Sequence, residues 1–347
     1  MTNIKGKNIF KPYKKKHTYS NFGNNIFDKK KLAEKLKTTY VDAPISLSLI
    51  KSTKETIEFI NKLQDLCDKK KPVFVKIKHL QFLDNSGITV LLSVVYLFKV
   101  RNISFNGDFP DSVYCHETLL DSGFFDSLKA NKPPISDYTI GKRNQVFTKA
   151  KKEVDASIGL PIQKEVSMTI WGEKRALKGL QRILVELMHN TNNHADLIKK
   201  GEKHWWLSIS HNKTTNKVDF IFLDYGIGIF NSLSSKPKDD LKWSKLPEYI
   251  INFLKNINKT NADLLQELLE GKIHMSVTGK HFRGKGLPGI KQAFDRNSVK
   301  NLVIITNNVK ADIQSKNYEI IDTQFDGTFV SWHLDATSDN LPWTIIE

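Results

Sequence analysis

Apolar residues return along this chain in two rhythms. In TKETIEFINKLQDLCDKK, 53–70, Ile57, Ile60, Leu63, Leu66 and Cys67 recur every three or four positions, which predicts an amphipathic helix. After Pro72 the run VFVKIKHL, 73–80, alternates apolar and polar residues and predicts a half-buried strand. FLDNSG, 82–87, predicts a turn in which Asp84, Asn85 or Ser86 caps a helix starting near Ile88. ISFNGDF, 103–109, reads as a further strand, and Asp111 or Ser112 caps a helix through about Leu120. Helix, strand, turn, helix, strand, helix is an α/β layout.

The second half starts with a longer helical pattern. Between Trp171 and Ile198, the residues Leu177, Leu180, Ile183, Leu184, Leu187 and Met188 form one apolar stripe. KVDFIFLDYGIGIF, 217–230, is an apolar strand that ends in Asp224, Tyr225, Gly226, Ile227 and Gly228. FRGKGLPGI, 282–290, is a glycine-rich turn that runs into the helical segment KQAFDR. Between Phe230 and Phe282 two more helical patterns, around 247–257 and 261–270, predict an insertion that folds by itself or meets a partner. The expected organisation is an arm over 1–40, an α/β domain over 41–130, a linker over 131–160, a second α/β domain over 161–336 and a tail over 337–347. Pro133, Pro134, Gly141, Gly159 and Pro161 mark the linker.

Charge adds a question about partners. The 347 residues carry a net charge of +16. Residues 1–80 hold nineteen Lys and no Arg against seven acids. Such a segment attracts phosphate backbones, acidic proteins or anionic lipid, and it also reads as a solvated lysine surface. Nucleic acid is thus a candidate partner, although the aromatic–basic interleaving used for base stacking is absent. No secretory signal is read at the N-terminus. The longest apolar run, near 88–98, is too short for a membrane span of about 20 residues. Cys67 and Cys115 have neither metal-ligand spacing nor a disulfide framework, so the expected setting is the reducing cytoplasm.

Three stretches carry candidate chemistry. Glu186 and Asn190 are four residues apart and share a helix face, with His194 one turn further. Mg²⁺ takes oxygen ligands and keeps several waters, so one carboxamide plus nucleotide phosphates suffices to hold it. The neighbouring carboxylate is then free to orient or deprotonate a nucleophile. Asp224, at a strand end, can accept from an exocyclic amine such as adenine N6. Gly226 and Gly228 let the backbone turn close to a flat ligand. Gly284, Gly286 and Gly289 lead into a helix N-terminus that favours phosphate, with Arg283 and Lys285 adding positive charge. The segment lacks the preceding strand of a dinucleotide fingerprint, and a GxxxxGK[ST] loop is absent.

Together these stretches resemble the GHKL ATP-binding domain of histidine kinases, type II topoisomerase ATPase subunits and anti-sigma-factor serine kinases. ELMHNTNNHA is similar to that family's first box, DYGIGI to its second and RGKGLPGI to its third. Asp326, Gly327, Thr328, Phe329 and Val330 are similar to its closing strand. The resemblance covers about 150 residues and implies an α/β sandwich in which helices cover a mixed sheet. It implies that Asn190 holds the Mg²⁺ of bound ATP, that Glu186 is the general base or orients the water, and that His194 lies near the base or ribose. Asp224 would read adenine with Gly226, Gly228 and Thr328. Arg283, Gly284, Lys285, Gly286 and Leu287 would wrap the phosphates. One departure is Thr191, where the family often has Ala.

The first half resembles a STAS domain, the fold of anti-sigma-factor antagonists, through FLDNSG and the apolar helix behind it. By that resemblance Ser86 is a phospho-acceptor; by chemistry alone it is a helix cap. The combined expectation is a cytoplasmic regulatory protein, compatible with a homodimer. It would hydrolyse Mg-ATP slowly or transfer its γ-phosphate, and so switch its grip on a protein partner. The alternative expectation is a nucleic-acid-associated or defence ATPase recruited through the basic arm. Histidine-kinase signalling fits poorly, since His116–Glu117 is the only His–Glu pair ahead of the linker.

Overall fold

The computed structural model describes residues 37–124, 145–149, 156–194, 205–234, 252–253, 255, 259–273 and 286–338. The chain is a mixed α/β protein that divides into two units, Met1–Phe124 and Phe125–Glu347.

The first unit runs β1 Thr39–Asp42, β2 Ser46–Leu47, α1 Thr53–Asp68, β3 Val73–Lys76, β4 Phe82–Leu83, α2 Asn85–Val100, β5 Phe105–Gly107 and α3 Val113–Asp121. β1, β3 and β5 form a parallel sheet with β3 in the middle, and β2 pairs with β4, also in parallel. Parallel neighbours need crossover connections, and α1 and α2 supply them. α1 buries the expected stripe of Ile57, Ile60, Leu63 and Cys67. α2 is covered all round, with every residue from Ser86 to Val95 buried. It lies against β2 at Gly87, where an added Cβ would sit 2.0 Å from the Leu47 carbonyl oxygen.

Two expectations need correction here. The strand read over 73–80 stops at Lys76, because the Ile77 N–H turns to Asp108 Oδ1 at 2.6 Å. β1 and β2 were not foreseen, and β1 takes up the end of the expected arm; residues 1–36 lie outside the described residues.

The second unit runs β6 Gln145–Lys149, a 3-10 turn Ala156–Ile158, α4 Gly159–Trp171, α5 Lys178–His194, β7 Trp205–Asn212, β8 Lys217–Asp224 and α6 Gly228–Ser234. It continues with α7 Asn261–Leu269, α8 Gly286–Asp295, β9 Lys300–Asp312 and β10 Asn317–Asp335. The strand order is β6-β7-β8-β10-β9. Among the described residues all four pairings are antiparallel, where a mixed sheet was expected. Tight turns impose this on β7–β8 and on β9–β10. Asn212 Oδ1 accepts the N–H groups of Thr214 and Thr215, and Asn216 is left-handed at φ +50°. Asp312 Oδ1 and left-handed Lys316 do the same between β9 and β10.

The expected linker is corrected as well. Residues 145–149 form an edge strand, and α4 begins at Gly159. Pro161 sits in the first turn of α4, where its missing N–H costs nothing. The helical pattern expected from Trp171 begins only at Lys178; Trp171 instead closes α4, which left-handed Gly172 (φ +73°) ends.

The core of this unit lies between the helices and one sheet face. Leu180, Ile183, Leu184, Leu187 and Met188 of α5 meet Leu207 and Ile209 of β7, Phe220 and Phe222 of β8, and Val330 and Trp332 of β10. α7 belongs to the same core through Leu264, Leu265, Leu268 and Leu269. It starts at a capping box in which Thr260 and Asp263 satisfy each other's backbone N–H groups. The described part of the expected freestanding insertion is therefore integral to the unit, whereas most of 247–257 lies outside the described residues. Leu265→Ala is expected to cost the second unit about 2–5 kcal/mol, as for other fully buried leucines. Denaturant unfolding measures it, and a loss below about 1 kcal/mol would show that α7 is dispensable to the core.

Candidate functional site

The strand alternation of β8 fixes the central group. Val218, Phe220 and Phe222 point into the helix-covered core, and Asp224 continues that face by two more residues. Trp205 of β7 stands opposite it on one side and Thr328 of β10 on the other. α5 crosses above, and Thr191 Oγ1 reaches Asp224 Oδ2 at 3.3 Å while also lying 3.1 Å from the Leu187 carbonyl. The Gly226 N–H donates to Asp224 Oδ1 at 3.0 Å. Asp224 is 6% exposed. Burial pushes its carboxyl up to about 7, against hydrogen bonds from Thr191, Gly226 and Thr328 that favour the charged form.

Two glycines allow this meeting. Gly327 has φ +147°, and an added Cβ would fall 2.0 Å from the Asp224 carbonyl oxygen. Gly228 has φ +74° and starts α6 immediately after the Asp224 turn.

α5 presents a second polar group pair to α8. A Cβ added at Gly286 would lie 3.1 Å from Glu186 Oε2 and 3.6 Å from the Asn190 carboxamide. The two side chains therefore stand against Gly286, the first described residue of α8. Gly289 serves packing: a Cβ there would meet the Arg182 guanidinium at 2.6–2.8 Å.

Asn190, Thr191, Asp224, Gly226, Gly228, Leu287 and Thr328 line one open cavity of about 90 Å³, with Ile227, Ile229, Ser232 and Leu233 completing its wall. The structure thus brings together Asn190, Asp224, both glycines of the turn, Leu287 and Thr328. Glu186 does not line the cavity and stands beside it, against Gly286. Arg283, Gly284 and Lys285 lie outside the described residues, as does the side chain of His194. Thr306 and Asn307 of β9, buried behind the Asp224 turn, were not foreseen. Their signal is a polar T-N-N that interrupts the apolar run LVII.

The donor set bears on a metal. Among the described residues no group of three or more His, Cys, Asp or Glu side chains could hold one. The Asn190 carboxamide at the cavity wall fits Mg²⁺ only where substrate oxygens and waters complete the coordination, which is how that ion is commonly bound. Among the described residues no helix is long and apolar enough to cross a membrane. The chain matches no family model and no curated protein.

In the first unit, Asp84 rather than Ser86 caps α2, accepting from the N–H groups of Ser86 and Gly87 at 2.9 and 3.0 Å. The Ser86 hydroxyl donates to Asp84 Oδ1 at 2.5 Å and accepts from the Leu49 N–H at 2.9 Å. It is 1% exposed. Of the three candidate caps Asp84 is the one used and Ser86 is not, and the Ser86 hydroxyl is covered and bonded in this structure.

The pKa of Asp224, about 7 when folded, exceeds the ordinary 3.8. A carboxyl shifted this way favours folding while protonated; that contribution is whole below about pH 3.8 and is lost as pH rises through about 7. Asp224→Asn stays neutral and is expected to be more stable than the parent at pH 8, by up to about 4 kcal/mol. The gap should close toward pH 4. Thermal melts across that range measure it, and a difference that does not change with pH would contradict the neutral buried carboxyl.

Proposed function

We propose that the second unit is a Mg-ATP-binding module of the GHKL type. In this reading the chain is a regulatory protein whose ATP binding, with slow hydrolysis or γ-phosphate transfer, alters its grip on a partner protein. One observation carries the proposal. Asn190, Asp224, Gly226 with Gly228, Leu287 and Thr328 come from four separate stretches of sequence and line a single cavity. The apolar wall of Ile227, Ile229 and Leu233 suits the faces of a flat base, with one buried carboxylate to accept from its amine.

Each residue then has a role. Asp224 accepts from the adenine amine, assisted by Thr328. Gly226 and Gly228 keep the backbone close to the ring. Asn190 holds Mg²⁺ through its carboxamide oxygen, and the ion supplies charge neutralisation of the phosphates. Glu186 orients or deprotonates the attacking water or hydroxyl. The N-terminus of α8 at Gly286 and Leu287 faces the phosphates. Arg283, Gly284, Lys285 and His194 belong to this reading through the sequence alone. We read the first unit as STAS-like, on its parallel sheet, crossover helices and Asp84-capped turn, with a regulatory role that does not run through Ser86.

The nineteen lysines of residues 1–80 favour a second output, an ATPase recruited to nucleic acid. It shares the site and differs in the partner.

Calorimetry with Mg-ATP is expected to give saturable heat that Asp224→Ala abolishes. Glu186→Ala should still bind and lose about 10²- to 10⁴-fold in turnover, the usual weight of a general base. An absence of heat from the parent protein would overturn the assignment, and full turnover in Glu186→Ala would overturn the base. Label passing from γ-labelled ATP to a protein favours phosphotransfer, whereas free phosphate favours hydrolysis. Binding of duplex DNA that weakens as salt rises would favour the second output.

A further inference from the structure

The turn that carries Asp224 is held from behind by a residue pair that never reaches the cavity. α6 begins at Gly228 and needs partners for its first N–H groups. The residue before it is Ile227, whose side chain has no oxygen to offer. β9 supplies the missing acceptors from about eighty positions downstream. Thr306 Oγ1 accepts from the Ile229 N–H at 3.0 Å, and Asn307 Oδ1 accepts from the Phe230 N–H at 3.2 Å. In the other direction Asn307 Nδ2 donates to the Ile227 carbonyl at 2.9 Å, and Thr306 Oγ1 donates to the Gly327 carbonyl at 3.1 Å.

The backbone is shaped for this contact. Asn307 is left-handed at φ +50°, beside a shift in register between β9 and β10. An added Cβ at Gly228 would lie 2.3–2.6 Å from the Asn307 amide, so the two close against each other. Both side chains are buried, and neither lines the cavity. Asn308 accepts from Asn261 Nδ2 at 2.8 Å, so the same stretch also fixes the start of α7.

We infer that Thr306 and Asn307 are positioning residues that set the shape of the 226–230 turn, and through it the ligand's recognition at Asp224. The consequence for ligand choice rests on the ATP reading above; the clamp itself does not. Gly226, Ile227, Gly228 and Ile229 form one side of the cavity, so a turn released from β9 changes the wall that a base would touch, whereas Asn190 and Leu287 line it from α5 and α8.

Asn307→Gly keeps the left-handed backbone and removes both side-chain bonds. Asn307→Asp keeps the acceptor for Phe230 and sets an oxygen against the Ile227 carbonyl. Leu265→Ala serves as a control that destabilises the same unit away from the turn. In ligand-free protein, hydrogen exchange at the Ile229 and Phe230 amides is expected to speed up about tenfold in Asn307→Gly, in line with the loss of buried hydrogen bonds. Asn307→Asp should fall between it and the parent, and the control should leave those amides unchanged relative to the rest of the unit. Affinity for ATP should drop about tenfold in Asn307→Gly and preference for ATP over GTP should shrink, while Mg-tripolyphosphate, which has no base, binds as before. Unchanged exchange at 229–230 would overturn the clamp. Unchanged base preference in a variant whose exchange has risen would overturn its role in recognition. If the parent binds no ATP and Asn307→Gly still speeds exchange, the ATP reading falls and the clamp stands.

Discussion

A carboxylate buried at the end of a central strand is the constraint on which the second unit turns. An ionised group taken out of water costs several kcal/mol unless it is paired or hydrogen-bonded. Asp224 has no cationic partner within salt-bridge reach among the described residues. Its burial is offset by Thr191 from α5, Gly226 from the turn and Thr328 from β10. Three elements must therefore arrive together, and a shift in any of them leaves a buried oxygen unsatisfied. The offset is incomplete, so burial still pushes the carboxyl up to about 7. A ligand that donates a hydrogen bond here completes what the protein leaves short.

The glycines follow from that meeting point together with the backbone it needs, since Gly327 and Gly228 both have positive φ. Gly327 exists because the Asp224 carbonyl occupies the place of its side chain, and Gly228 because the Asn307 amide does. Gly286 gives α8 room beside Glu186 and Asn190, and Gly289 gives it room beside Arg182. Each marks a close approach between elements distant in sequence. The same glycine pattern that resembles a phosphate-binding turn is thus half a packing device. The first residue of α8 faces Glu186 and Asn190, and its next turn packs against the Arg182 guanidinium.

Much of this was legible because it is periodic. The α5 stripe, the apolar run of β8 and the Asp-Gly-Gly ending are local patterns, and the structure keeps them where the pattern put them. What escaped has physical reasons. β1 and β2 are four and two residues long, too short for an alternation to register. α4 opens with glycine and proline, which read as linker until its neighbours show that Pro161 is in a first turn. The antiparallel order of the sheet depends on which strands pair, and a chain without visible turn glycines hid the β7–β8 and β9–β10 hairpins behind Asn, Asp and Lys. Thr306 and Asn307 are invisible to spacing because their partners lie about eighty residues away.

The first unit narrows how any phosphoryl signal could pass. Ser86 sits in a closed polar network: its hydroxyl bonds Asp84 and the Leu49 N–H, Asp84 also accepts from Ser48 Oγ at 2.6 Å, and Ser48 Oγ accepts from the backbone of Ile50 and Lys51. Exposing that hydroxyl means breaking at least its two close bonds and moving the segment after β2, a cost of roughly 2–3 kcal/mol at about 1 kcal/mol for each bond and more where a charge takes part. On that scale the open form is at most about 3% of the population. The added Cβ that Gly87 lacks would strike β2 at the same place, so the turn and strand are tightly joined there. A unit built this way keeps its shape through the turn and presents that shape as a whole. Control by phosphate at Ser86 would require a partner that first pulls β2 away, which makes the partner, and not the serine, the deciding element.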